Sequence, residues 1–233
     1  MRRLLPLLLL PLAIAGCSPL PSVPETPPPD KAPAFAEPVA LRPHFNTGGR
    51  IVPAGTGFVV ADAAGKKYLL TAAHLMDDAK EWGTVQSVAL NAMEGGELAR
   101  GTGRPLLIGR SFDESNCGED LVIWPLADGA KATPVKLAAD DPKKNEWLWA
   151  VGQEPRASGP QKAYRCKVTG TTMGGLALVQ HDKFEMMGFS GGPLFNANGE
   201  VVGSVLGGRG RDMIVSRVSG IRKKLAAAGV NVP

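Results

Sequence analysis

Three separated segments carry residue types suited to one kind of chemistry, the activation of an alcohol towards a carbonyl. Ser190 lies within Gly188-Phe189-Ser190-Gly191-Gly192-Pro193-Leu194, His74 closes Thr71-Ala72-Ala73-His74, and Asp120 opens Asp120-Leu121-Val122-Ile123. A serine hydroxyl is a weak nucleophile near neutral pH, so attack needs a base that takes its proton as the new bond forms. Imidazole has a suitable basicity and can hand the proton on to a leaving amine. A buried carboxylate holds the ring in the right tautomer and stabilises its cation. Ser190 is therefore the candidate nucleophile, His74 the base and then acid, and Asp120 the orienting group.

Each role has rivals. His44 falls in a proline-rich stretch and His181 in a strand-to-loop segment, and neither sits in a comparable motif. Asp77 and Asp78 are too near His74 in sequence to act as a distant orienting group. Asp113 and Glu119 do not directly precede the apolar run. All four acidic rivals are expected to be solvated loop residues.

Taken together and in this order, the three motifs resemble those of the trypsin-like peptidase family, including its bacterial HtrA and glutamyl endopeptidase groups. Gly55-Thr56-Gly57-Phe58 before the histidine and Gly199-Glu200-Val201-Val202-Gly203 after the serine extend the match, from about residue 56 to the C-terminal helix. The resemblance implies a serine endopeptidase working through an acyl-enzyme on a protein or peptide substrate, with no cofactor and no metal. It also implies that the N–H groups of Gly188 and Ser190 form an oxyanion hole. Losing one such donor costs roughly 2.7–4 kcal/mol of transition-state stabilisation.

The same resemblance puts Phe184, six residues before Ser190, where the trypsin pattern has a carboxylate at the pocket base. Leu206, Gly207 and Gly208 would border that pocket. Without the carboxylate, a small or apolar residue before the scissile bond is expected, with Met186 and Met187 at the rim or in the core. Arg50-Ile51-Val52 invites a zymogen reading. Phe189, however, stands where an Asp would receive the freed amine, so activity without cleavage is expected. The alternative to an enzyme is an inactive protease fold that serves as a protein-binding module.

Groups so far apart in sequence need a scaffold of many short strands. From residue 44 onward, apolar runs alternate with glycine-rich punctuation. Runs at 57–60 and 68–71 flank a hairpin connection, and others follow at 87–90, 105–108, 121–126, 147–151, 164–168, 176–179, 201–206 and 213–215. This spacing predicts an all-β protein. With the resemblance, the expected fold is two six-stranded-type antiparallel β-barrels, chymotrypsin-like, with a C-terminal helix. The first barrel would span about 46–130, the second about 131–218 and the helix about 219–229, within a peptidase domain of 46–233. Ser219 is the expected helix cap, Gly229 the stop, and Arg222, Lys223 and Lys224 the solvated face.

The N-terminus reads differently. Arg2 and Arg3 precede a short apolar stretch ending in Ile14-Ala15-Gly16-Cys17, which resembles a bacterial lipoprotein signal (1–16). That implies cleavage before Cys17, a lipid on Cys17, and attachment to the cell envelope, with the outer membrane favoured by Ser18 and the protein facing the periplasm or the cell surface. Residues 17–45 are dominated by proline, which removes backbone donors and favours polyproline II, so they are expected to form a tether outside any sheet ladder.

The formal charge is +4, and without Arg2 and Arg3 the chain carries 24 basic and 22 acidic residues. That balance, with no basic stripe, argues against nucleic-acid binding. Cys117 and Cys166 form an even pair in an exported protein, which suggests a disulfide. Their spacing supports no zinc site. Oligomeric state is left open by the sequence.

Overall fold

Alternating and continuous apolar runs both build the first half of the fold, and the computed structural model describes residues 27–113 and 115–233. The first half holds β1 (Leu41–Asn46), β2 (Ile51–Pro53), β3 (Gly57–Ala61), β4 (Lys67–Thr71), α1 (Ala73–Lys80), β5 (Ser87–Ala92), β6 (Glu97–Arg100), β7 (Leu107–Ile108) and β8 (Val122–Pro125). They form an eight-stranded sheet in the order β6-β5-β1-β3-β4-β8-β7, with β2 paired to β1. An isolated bridge, Gly101 to Leu126, links the chain just after β6 to the chain just after β8. The second half holds β9 (Trp147–Gly152), β10 (Lys162–Thr171), β11 (Gly175–Gln180), β12 (Pro193–Phe195), β13 (Val201–Arg209), β14 (Asp212–Arg217) and α2 (Val218–Ala227). Its strands close into a barrel, β10-β11-β14-β13-β12-β9. The fold is thus mostly β in two sheets with a C-terminal helix, and only the second sheet is a closed six-stranded barrel.

β3, β4 and β8 are buried on both faces, which explains why they read as continuous apolar runs instead of alternating ones. Their two faces feed different cores. Val59, Leu69, Val122 and Trp124 join Leu41, Phe45 and Leu90 inside the first sheet. Phe58, Val60, Leu70 and Ile123 join Leu148, Phe189, Phe195 and Val215 of the second barrel. Each such side chain, fully buried, contributes about 1.5–3 kcal/mol relative to exposure. The three strands form a wall shared by both halves.

Several expectations need correction. The proline-rich stretch does not stay out of the sheets. β1 begins at Leu41, so His44 is a strand residue, paired with Ala89. Pro43 lacks an N–H, but its carbonyl accepts the Ala54 N–H (3.0 Å) and the ladder continues around it. Before β1 the chain lies on the second barrel. The Phe35 and Phe195 rings are 4.5 Å apart, and the Val39 and Ala40 N–H groups both donate to Gln161 Oε1 (2.9 and 2.8 Å). The signal, Cys17 and the first part of the tether lie outside the described residues.

Cys117 and Cys166 are both buried free thiols. Cys166 faces the second barrel's interior, with its sulfur 3.4 Å from that of Met213. Cys117 lies against the β11 end, accepting the Thr172 hydroxyl (3.5 Å). Each is enclosed in its own surroundings, and neither is held towards the other. Burial pushes the Cys166 thiol up to about 12.

Ser219 is not the α2 cap. Arg217 occupies that position without a side-chain cap bond, and Ser219 instead donates to Asp141 Oδ2 (2.7 Å). Nor is the basic face simply solvated. Arg222 donates to the Leu137 and Ala138 carbonyls (2.8 and 2.9 Å), and Lys224 pairs with Glu119 (2.9 Å). Gly229, at φ +76°, follows the helix end.

Candidate active site

The His74 motif does not merely end a strand. Thr71 closes β4, Ala72 is extended, and His74 sits in the first turn of α1, whose Ala73, Leu75, Met76 and Ala79 are buried. That helix has no side-chain cap. It is held instead by Asp120, whose carboxylate accepts the His74 backbone N–H (3.0 Å) and faces the ring Nδ1 (2.6 Å). Asp120 is only 1% exposed. Such a short contact to an acceptor-only carboxylate puts the proton on Nδ1 and leaves Nε2 with its lone pair. The loop carrying Asp120 is fixed from the side, because Gly109 and Arg110 donate to the Leu121 and Glu119 carbonyls (2.8 and 3.0 Å).

Ser190 comes from the second half, and Thr56 stitches it to the first. The Thr56 N–H donates to the Ser190 carbonyl (2.8 Å) and its hydroxyl to the Gly188 carbonyl (2.6 Å). The Thr56 carbonyl in turn accepts the Thr71 hydroxyl (2.7 Å), three residues before His74. A Cβ on Gly191 would lie 2.3 Å from the Thr56 carbonyl oxygen and 2.7 Å from the Ala72 nitrogen, and its φ is +80°. Only glycine allows this approach. The serine loop is therefore seated directly on the strand that delivers the histidine.

The Ser190 hydroxyl donates to the Leu206 carbonyl (3.2 Å), not to the imidazole. Within the same loop the Phe189, Gly191 and Gly192 N–H groups are used, donating to Met186, Val205 and Phe189 carbonyls. The N–H groups of Gly188 and Ser190 have no acceptor among the described residues. Gly188 reaches its φ of +92° as glycine readily does. Two free donors thus flank the hydroxyl.

A family model described as "Trypsin-like peptidase domain" matches residues 55–203, from the Thr56 strand through the serine loop into β13. The chain belongs to the trypsin-like peptidase family. Solved bacterial proteases share the fold. The Mycobacterium tuberculosis Rv3671c protease in its active form is 20% identical, with a TM-score of 0.56 over 94% of this chain and 96% of that one. Its inactive form is 19% identical, at 0.57 over 83% and 90%. A serine endoprotease from Yersinia pestis is 16% identical, at 0.61 over 85% and 68%. No curated protein sequence matches the chain significantly.

The positions before Ser190 are aromatic. Phe184 stacks on Tyr164 (4.5 Å) and lies 4.7 Å from Phe189, which is fully buried. An ammonium group brought to Phe189 would meet a dry aromatic cluster. Ile51, moreover, is bound into β2 opposite Asn46. Leu206 is buried and Gly208 is exposed beside Met186, whose methyl would lie 2.7 Å from a Cβ on Gly208. Met186 packs against the core while Met187 is 70% exposed.

The rivals are otherwise engaged. Asp77 pairs with Lys80 (2.7 Å) and accepts the Ser111 hydroxyl. Partial burial pushes its carboxyl up, but those hydrogen bonds and the charge of Lys80 bring it below the usual range. Asp113 caps its own turn at Ser115, Glu119 takes Lys224, and His181 stands edge-on to Trp147. The bridging role of Thr56 was not predicted from its place in the Gly-Thr-Gly motif, since a hydroxyl carries no sign of the loop it will meet. The helix at His74 was missed too, although Ala73, Leu75, Met76 and Ala79 have the spacing that could have shown it. Among the described residues, no group of three His, Cys, Asp or Glu is arranged to hold a metal ion.

Proposed function

We propose that this peptidase is a serine endopeptidase that works through Ser190, His74 and Asp120. His74 Nε2 takes the Ser190 proton as the hydroxyl oxygen bonds to the scissile carbonyl carbon. The oxyanion settles on the N–H groups of Gly188 and Ser190. The tetrahedral intermediate then expels the amine, which receives the proton from His74, and water hydrolyses the acyl-enzyme by the same route reversed. The observation that carries this reading is the buried Asp120 carboxylate holding both the backbone and the ring of His74. The acyl half of the substrate lies along Leu206, Gly207 and Gly208. Attack requires the Ser190 side chain to rotate away from Leu206 towards the imidazole, about a bond that samples staggered positions readily.

The enzyme is further proposed to be anchored through a lipid on Cys17 in the cell envelope, acting on protein or peptide substrates there. A second reading, a binding module that keeps the fold without turnover, draws on the Ser190 hydroxyl resting on Leu206 O. A fluorophosphonate probe separates the two. Stoichiometric labelling of the mature protein, abolished in Ser190→Ala and in His74→Ala, is the expected result. A folded protein that takes no label belongs to the second reading.

A further inference from the structure

Arg42 stands beside the serine loop with no carboxylate to neutralise it. A Cβ built on Gly188 would lie 3.9 Å from Arg42 Nη1, 3.2 Å from the Gln153 carbonyl and 3.9 Å from Pro155 Cδ. The guanidinium is half-buried, and its one hydrogen-bond partner among the described residues is a weak acceptor, the Met93 sulfur (3.4 Å from Nη2). Among the described residues no acidic side chain lies within ion-pair distance of it. Two carboxylates of neighbouring segments are committed elsewhere, Glu97 to Arg100 (2.6 Å) and Glu154 to the Tyr164 hydroxyl (3.1 Å) and the Glu185 N–H (2.8 Å). Desolvation makes the cation less favourable than in water, lowering its pKa from the usual range, and the same burial lowers that of His44, two residues along the strand.

A desolvated guanidinium with vacant donors is a poor resting arrangement and a good recognition element. Its planar fork matches a carboxylate bidentately, and such charge-assisted pairs are stronger than neutral hydrogen bonds. The position decides which part of a substrate it would meet. The Ser190 hydroxyl rests on Leu206 at the head of the edge proposed for the acyl half, whereas Arg42 borders Gly188 together with Gln153 and Pro155.

We propose that Arg42 is a specificity-determining residue that reads an acidic side chain on the leaving-group half of the substrate, within the first three residues after the scissile bond. This rests on the endopeptidase reading above. It gives this enzyme a preference for Asp or Glu beyond the cut, independent of the aromatic-lined ground at Phe184.

The test is digestion of a degenerate peptide library by the mature protein and by Arg42→Gln, with cleavage sites read by mass spectrometry and fluorophosphonate labelling run in parallel. The wild-type enzyme is expected to enrich Asp and Glu roughly tenfold at one of those three positions, the scale of one charge-assisted contact. Arg42→Gln should lose that enrichment while still taking the label, because the probe has no leaving-group peptide. Added salt should shrink the wild-type preference. Labelling with identical profiles in both proteins, or acidic enrichment only before the cut, overturns the role of Arg42 and leaves the endopeptidase standing. A wild-type protein that neither cuts nor labels overturns both.

Discussion

In the second half of the molecule every strand of the barrel is hydrogen-bonded on both sides, whereas in the first half β6 and β7 end the sheet and a single bridge from Gly101 to Leu126 ties the rim. The proposed chemistry is divided along the same line. The open sheet contributes His74 and Asp120 from segments inserted between its strands, α1 and the loop before β8. The closed barrel contributes Ser190 and two free N–H groups from one tight loop. The difference shows why the halves need different fastenings. A loop on a closed barrel is positioned by its own backbone, as the Gly191 and Gly192 N–H bonds illustrate. The first half must instead hold a helix and a loop together by a side chain, Asp120.

Replacing that side chain gives the largest effect. Asp120→Asn keeps the size but reverses the donor pattern, favouring the wrong imidazole tautomer, and kcat of the proposed reaction should fall by about 10⁴-fold. A fall of less than tenfold in steady-state peptide hydrolysis would mean that the first half positions the histidine by other means.

The seam between the halves is next. Gly191→Ala drives a methyl group into the Thr56 carbonyl at a positive φ, and turnover should drop at least about a hundredfold, since misplacement of the serine by an ångström has that cost. Thr56→Val is the milder cut. It leaves the Gly188 carbonyl without its hydroxyl donor, at a cost of about 1–3 kcal/mol in urea unfolding. If both variants unfold and turn over like the wild type, the two halves are held in register without this seam.

The smallest effect probes the dryness of the closed barrel. The Cys166 thiol is raised to about 12 by burial, while in the unfolded chain it titrates near 8.5. A group whose folded value is raised contributes stability below the unfolded value and loses it as pH climbs towards the folded one. Unfolding free energy should therefore fall above about pH 8.5, by up to roughly 1.4 kcal/mol per pH unit. Cys166→Val should flatten that part of the curve, and an equally steep curve in the variant would show that the thiol is not the group responsible.

Much of this was legible in the residues. Ser190, His74 and Asp120 sit in motifs with local signatures, and short apolar runs announced the strands, although β1, β2, β6 and β12 were missed as too short or proline-bearing. What could not be read was whatever depends on a distant partner. Proline argued for a free tether because the local rule concerns a lost donor; β1 forms because Pro43 needs only to accept. Two cysteines argued for a bridge because an even number in an exported chain suggests one, yet each is enclosed on its own. Ser219 had the chemistry of a cap and found Asp141 instead. Arg42 carried no motif at all, and its interest comes only from standing next to Gly188.

The wall built from β3, β4 and β8 has a consequence for dissection. A chain split in the loop after β8 would leave Phe58, Val60, Leu70 and Ile123 bare on one fragment and the complementary apolar surface bare on the other. Neither piece would be soluble as an autonomous unit. Co-expressed, the same pieces have every reason to find each other, so this peptidase is a natural candidate for a split reporter that regains its scissors only when both fragments meet.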